Sequence, residues 1–330
     1  MIGATSTSAL EGVVERMLRG EMPESEMQKI FEEYQPDTLS SHSLAGAVRA
    51  MRRAMVPVEL TGNPVDTCGT GGSGRKTINT STLAAFIVAA ARGKIAKHGN
   101  RSASGNCGCF DVLEALGAKI DLTVEQEQKI HEELGIVFLF ARSHHPAMRH
   151  VAAARKAFGR KTLFNLLGPL CNPASVRRQL IGTGHAHDAQ LMADTLHILH
   201  AQEQAFLPAF VVQGMDGLDE ISVCAPTIVH SVNTGERNLI VPADMGLPVH
   251  ALADIAGGSV SEKLHIFREI AAGKGTDAHR NLVIANAAHA LLLAEITDNL
   301  RRAGTIAAEV LASGRVMTLI ERYVSFTRDV

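Results

Sequence analysis

From Pro64 to Gly214 the chain alternates short apolar stretches with helical ones, and this alternation restricts its fold more than any other feature. "PVDTCGT", "KIAKHGN", "IVFLF", "RQLIGTG" and "AFVVQG" read as strands. "STLAAFIVAAARG", "FDVLEALG", "TVEQEQKIHEELG", "HPAMRHVAAARKAFG" and "DAQLMADTLHILHA" read as helices around them. Strands joined through helices return to the same end of a sheet and pair in parallel. The expected fold class is therefore α/β, with a mostly parallel central sheet covered by helices. "STLAAFIVAAARG" is apolar nearly all round and predicts a buried helix. Before Pro64 only helices are expected: Leu10, Val13, Val14, Met17 and Leu18 share one face, as do Met27, Ile30, Phe31 and Tyr34, then Leu44, Val48, Met51 and Met55. Three short helices bury too little to stand alone, so they pack on the rest of the chain or on a second copy. Three more helices are expected after Gly258, in "VSEKLHIFREIAAG", "NLVIANAAHALLLAEI" and "NLRRAGTIAAEVLASG".

Composition removes several classes of function. The 330 residues are 46% hydrophobic with a formal charge of −2, which supports a large core and opposes nucleic-acid binding by bulk charge. The five cysteines include no Cys-x-x-Cys pair, so neither a disulfide framework nor a cysteine zinc site is expected. Charges at Glu11, Glu15 and Arg16 interrupt the N-terminal segment, which reads as neither a signal peptide nor a membrane span. No apolar run reaches the ~18 residues of a span. The expected setting is cytoplasmic, with no membrane or nucleic-acid partner. His144-His145, His185-x-His187 and His197-x-x-His200 lack the ligand pattern of a zinc site and read as surface or hydrogen-bonded side chains.

Three stretches carry chemistry. In "CGTGGSGRKTINTST" (residues 68–82) a strand runs through bare backbone into a helix start. Glycine permits close approach to a ligand, and a helix N-terminus offers unpaired N–H groups to an anion. The alternative is a tight turn capped by Ser or Thr. "KHGNRSASGNCGC" then places Lys97, His98, Asn100 and Arg101 at the end of the next strand, before another small-residue loop. Ligands of open parallel sheets bind at carboxyl strand ends, so one polyanion can span both turns. In "QGMDGLDEIS", adjacent Asp219 and Glu220 suit a hard cation such as Mg²⁺ shared with phosphate oxygens, or else form a solvated acidic turn. Cys107-x-Cys109 beside a helix start has no acid–base partner in sequence, so thiol catalysis is not expected.

Together these stretches make the chain resemble the anthranilate phosphoribosyltransferases, with "GTGGS", "NTST", "KHGNRSASGNCGCFDVLEALG", "FNLLGPLCNP" and "DGLDE" in the family's order. "HPAMRHV" and "GIVFLFA" match as well. The resemblance implies a fold related to the nucleoside phosphorylases. A helical domain of residues 1–63, joined by a segment near 155–180, would pair two copies as a homodimer, and 64–330 would form the α/β phosphoribosyl-binding domain. It implies that phosphoribosyl pyrophosphate donates its sugar to the anthranilate amine with Mg²⁺ as cofactor, in tryptophan biosynthesis. Donor binding falls to Gly69, Gly72, Ser73, Thr77, Asn79, Thr80, Ser81, Thr82, Lys97, Gly105 and Cys109. Anthranilate falls to Gly69, Asn100 and Arg155, and metal to Ser81, Asp219 and Glu220. No side chain is an expected general base, and positioning with electrostatics carries the rate.

The chain departs from the family pattern at four places. Ser73 stands where the family's GTGGD has aspartate, and Gly105 and Cys109 stand where it has serines. Arg142, followed by Ser143-His144, replaces a proline and is expected to border the aromatic-substrate channel. A Glu-Asn-Ala segment appears as Glu262-Lys263-Leu264. Other readings remain open at this stage: a paralogue for another aromatic amine, a nucleoside phosphorylase, and a binding protein without turnover.

Overall fold

The computed structural model describes residues 6–71, 74–75, 77–102, 107–204 and 207–330. Seven strands form one sheet: β1 (Val65–Asp66), β2 (Ile95–Gly99), β3 (Ile136–Phe140), β4 (Arg178–Gly182), β5 (Phe210–Gly214), β6 (Thr227–Ser231) and β7 (Arg237–Ile240). Their order is β3-β2-β1-β4-β5-β6-β7. The first five pair in parallel, as the alternation requires, and β6 and β7 add an antiparallel edge. β3 is the run "IVFLF", buried throughout because helices cover both its faces.

Helix Thr80–Ala90 is almost entirely buried, with Leu83 through Val88 at 0% exposure, as its all-round apolar sequence demands. It packs against helix Asp277–Leu293, another mostly buried element. Helix Arg315–Asp329 was not among the elements expected from sequence. Its fully buried Tyr323 meets Phe86 and Phe138 edge-on at 5.9 and 5.3 Å, and its hydroxyl accepts the Phe138 N–H. That hydroxyl lets a tyrosine rather than a phenylalanine close the sheet's helical cover.

A second apolar cluster lies on the helical side. Helices Ser6–Leu18, Glu24–Glu33 and Ser41–Ala54 pack with Arg149–Phe158, Phe164–Leu170 and Ala186–Gln202, around Leu10, Met17, Phe31, Leu44, Leu167 and Leu196. The first three helices thus complete their core with later segments of their own chain. The buried His144 ring joins the segment after helix Ser41–Ala54 to helix Val124–Leu134: it bonds Glu127 at 2.9 Å through Nε2 and the Val56 carbonyl at 2.9 Å through Nδ1.

Candidate active site at the switch in strand order

β2 and β3 are added on one side of β1, and β4 and β5 on the other. Where the order reverses, loops leaving neighbouring strand ends diverge and open a crevice. A cleft of about 940 Å³ lies there. Gly69, Thr77, Asn79, Thr80 and Ser81 line it from the first turn; Lys97, Asn100 and Cys109 from the second; Asp219 and Glu220 from the acidic loop; Arg155 from the helical side. Three stretches far apart in sequence therefore share one cleft. Thr82 does not line it: it is buried one residue deeper in the helix, against Cys109. Gly72, Ser73 and Gly105 lie outside the described residues.

Close backbone crossing holds the stretches together. The Thr70 N–H donates to the Gly182 carbonyl at 2.9 Å. A Cβ on Gly69 would stand 2.9 Å from that same oxygen, and one on Gly182 would overlap the Asp219 carbonyl outright. The chain at the ends of β1 and β4 and the acidic loop are stacked backbone on backbone, which only a residue without Cβ allows at position 182. Asn286 fastens the acidic loop from below: Oδ1 accepts the Ile221 N–H at 2.9 Å and Nδ2 donates to the Ile221 carbonyl at 3.0 Å.

Asn79 settles the capping alternative. Its amide donates to the Cys107 carbonyl at 2.8 Å, tying the two turns together, and no side-chain cap closes helix Thr80–Ala90 among the described residues. The first turn of that helix keeps the N–H groups that suit an anion. In the second turn, the Asp111 carboxylate accepts the N–H groups of Gly108 at 2.7 Å and Ser102 at 2.9 Å. Arg101 is drawn aside into an ion pair with Glu114 at 2.6 Å.

Beneath the first turn lies a polar network that the sequence did not reveal. Fully buried Asp66 accepts from Asn172 Nδ2 at 2.8 Å and from the His98 N–H at 3.2 Å. Burial pushes the Asp66 carboxyl up to about 6, against the opposing pull of the Lys97 ammonium. Lys97 itself donates to the Thr67 carbonyl at 3.0 Å. The pair braces the first turn from inside while Lys97 remains at the cleft wall.

At the acidic loop, burial, and after it the charge of Asp219, push the Glu220 carboxyl up to about 8. Its buried Oε2 makes no hydrogen bond of ordinary geometry among the described residues, although the Thr80 hydroxyl faces the carboxylate closely enough to favour its charge. Two adjacent carboxylates, one with an unmatched buried oxygen, fit a hard divalent cation. Burial also raises the thiols: Cys68 to about 12, with Cys107 and Cys109 shifted the same way. They stay protonated at neutral pH, as expected of thiols without a base.

The opposite end is built by the helical layer. The Arg155 guanidinium lies 5.7 Å from the Phe164 ring centroid and 3.5 Å from Asn165 Oδ1, with no acidic partner among the described residues. Arg142 corrects an expectation. It is exposed on the short helix Ala141–His144 and does not line the cleft, because that helix turns the side chain outward as it leaves β3. Most of the weighed histidines are hydrogen-bonded: besides His144, His145 contacts the Cys171 carbonyl at 3.0 Å and His197 the Val232 carbonyl at 2.8 Å.

The fold and the cleft define an α/β glycosyl-transfer protein, and comparison agrees. The pattern described as "Glycosyl transferase family, a/b domain" matches residues 61–317. An anthranilate phosphoribosyltransferase of Rubrobacter xylanophilus is 44% identical over 88% of this chain and 84% of its own length. One from Desulfosudis oleivorans is 43% identical over 87% and 84%. The crystal structure of the Thermus thermophilus enzyme superposes with a TM-score of 0.90 at 35% identity, covering 98% of this chain and 95% of that one. The chain belongs to the anthranilate phosphoribosyltransferase family. A Saccharomyces cerevisiae member, solved in complex with PRPP and Mg, shares the fold at a TM-score of 0.88 and 24% identity.

Proposed function

We infer that this chain transfers the phosphoribosyl group of phosphoribosyl pyrophosphate to the amine of anthranilate. The observation that carries this is the convergence of two glycine-rich turns and the Asp219–Glu220 pair on one cleft, with an arginine at its far end. In the reaction the anomeric C–O bond to pyrophosphate breaks, a C–N bond to the aniline forms, and the nitrogen's proton leaves, with the substrate's own ortho-carboxylate as acceptor. Gly69, Thr77, Asn79 and the start of helix Thr80–Ala90 hold the diphosphate and ribose, with Lys97 and Cys109 at the second turn. Asp219 and Glu220, with Ser81, hold Mg²⁺, whose chemistry is neutralisation of charge on the leaving group. Arg155 and Asn100 orient the acceptor, since a guanidinium pairs with an aromatic carboxylate in a fixed fork. The proton acceptor lies on the substrate, so the protein's share is position and electrostatics.

Mixing the chain with Mg²⁺, phosphoribosyl pyrophosphate and anthranilate should consume anthranilate fluorescence. A folded protein showing no loss at saturating substrates overturns the assignment. Arg155→Ala should raise the KM for anthranilate about tenfold or more, from a lost charge-assisted hydrogen bond. The KM for the donor should move far less, and the reverse ranking shows that the two ends are misassigned. The helical layer is the proposed pairing face of a homodimer, which analytical ultracentrifugation tests. No single helix among the described residues is long and apolar enough to cross a membrane; a cytoplasmic setting is the proposed one.

A further inference from the structure

Lys263 lies at the start of helix Val260–Ala271, where Ser259, Val260, Ser261 and Glu262 are all exposed. Lys263 alone in that turn is buried, at 5% exposure, and it lines the cleft. Lysine is rarely buried to this degree unless an anion faces it.

Its place is fixed by the loop before it. A Cβ on Gly257 would stand 2.5 Å from the Thr77 carbonyl oxygen and 3.0 Å from Lys263 Cε. The loop therefore presses its backbone on the first glycine-rich turn and lays the lysine stem along it. The ammonium is near enough to favour the charged forms of both Glu220 and Cys107. Among the described residues five other cations line the cleft at different stations: Lys97 donates to the Thr67 carbonyl, Arg75 to the Asp216 carbonyl, Lys161 contacts His185, Arg101 pairs with Glu114, and Arg155 sits on the helical side.

We propose that Lys263 binds the diphosphate leaving group directly, as a fixed cation beside the Asp219–Glu220 metal site. This rests on the donor end being where the proposed function puts it. It also gives a physical reading to one departure from the family pattern that the sequence resembles: Lys263 stands in the Glu262-Lys263-Leu264 segment where that pattern has Glu-Asn-Ala, and adds a positive charge there. A compact ammonium stabilises charge on a departing phosphate without needing a metal ion.

The test is calorimetric titration of inorganic pyrophosphate into the full chain, in EDTA and again with Mg²⁺. The unmodified chain is expected to bind pyrophosphate in EDTA. Lys263→Met, which keeps the unbranched stem, should weaken that binding at least tenfold, and Lys263→Gln should do the same. Thermal melts verify that both variants are folded. A folded variant of either kind binding metal-free pyrophosphate like the unmodified chain overturns the proposal, as does an unmodified chain that binds none in EDTA. The turnover assay is scored separately. Loss of pyrophosphate affinity in the variants, with no anthranilate consumed by the unmodified chain, sustains Lys263 and sinks the acceptor assignment. Normal turnover with unchanged pyrophosphate affinity in the variants sinks Lys263 alone.

Discussion

Replacing Asp219 by Asn and Glu220 by Gln together should lower Mg²⁺-dependent turnover about 10²–10³-fold, the range seen when a fixed stabiliser of developing charge is removed. The fold should survive. Glu220 is costly to the metal-free fold, because burial and its acidic neighbour disfavour its charge. Its folded carboxyl titrates at about 8, against an ordinary value of 4.5. Between those values the native state holds a proton that the unfolded chain has released, so metal-free stability falls as pH rises through this window. Glu220→Gln abolishes that loss. In EDTA its melting temperature should draw ahead of the unmodified chain from pH 5 to pH 8, and Mg²⁺ should raise the melting temperature of the unmodified chain only. Turnover within tenfold of normal in the double variant, or a melting-temperature gap that does not widen with pH, contradicts the assignment of this pair.

The sequence made such residues visible because their signal is local. A carboxylate pair after a strand, or a glycine run opening an apolar helix, is legible in ten residues. So are β2, β3 and helix Thr80–Ala90, where apolar content and glycine punctuation agree. What stayed hidden depends on partners distant in the chain. β6 and β7 form an edge hairpin whose β7 residues are largely exposed, so no core-facing pattern marks it. Asp66 is an unremarkable acid until Asn172 is brought over it. Asn286 carries no local mark, being one of several polar residues in a helix that also holds His279, Asn281 and His289, and its role became plain only when Ile221 was placed above it. Lys263 was visible as a departure from the family pattern, and only its burial beneath an otherwise exposed turn, with the Gly257 backbone pressed on Thr77, gave that departure a physical meaning.

Gly182 is the sharpest of these hidden residues. In "RQLIGTG" it reads as the end of a strand, and nothing nearby says which chain will cross it. In the fold its Cα faces the Asp219 carbonyl so closely that no Cβ can be admitted, and the obstacle is backbone. Backbone cannot rotate aside as a side chain can, so overpacking here should meet or exceed the upper end of its usual cost, about 3 kcal/mol. Gly182→Ala should therefore lower the urea midpoint sharply. It should also cut turnover about 10²-fold in whatever fraction stays folded, because a shift near 1 Å displaces the carboxylates that follow. The carbonyl of residue 182 also receives the Thr70 N–H, so the same substitution disturbs the first glycine turn. Donor KM should then rise along with the fall in kcat. A Gly182→Ala chain with the normal midpoint and normal kinetics would mean that the first turn, the end of β4 and the acidic loop do not cross as described, and the shared cleft would lose its structural basis.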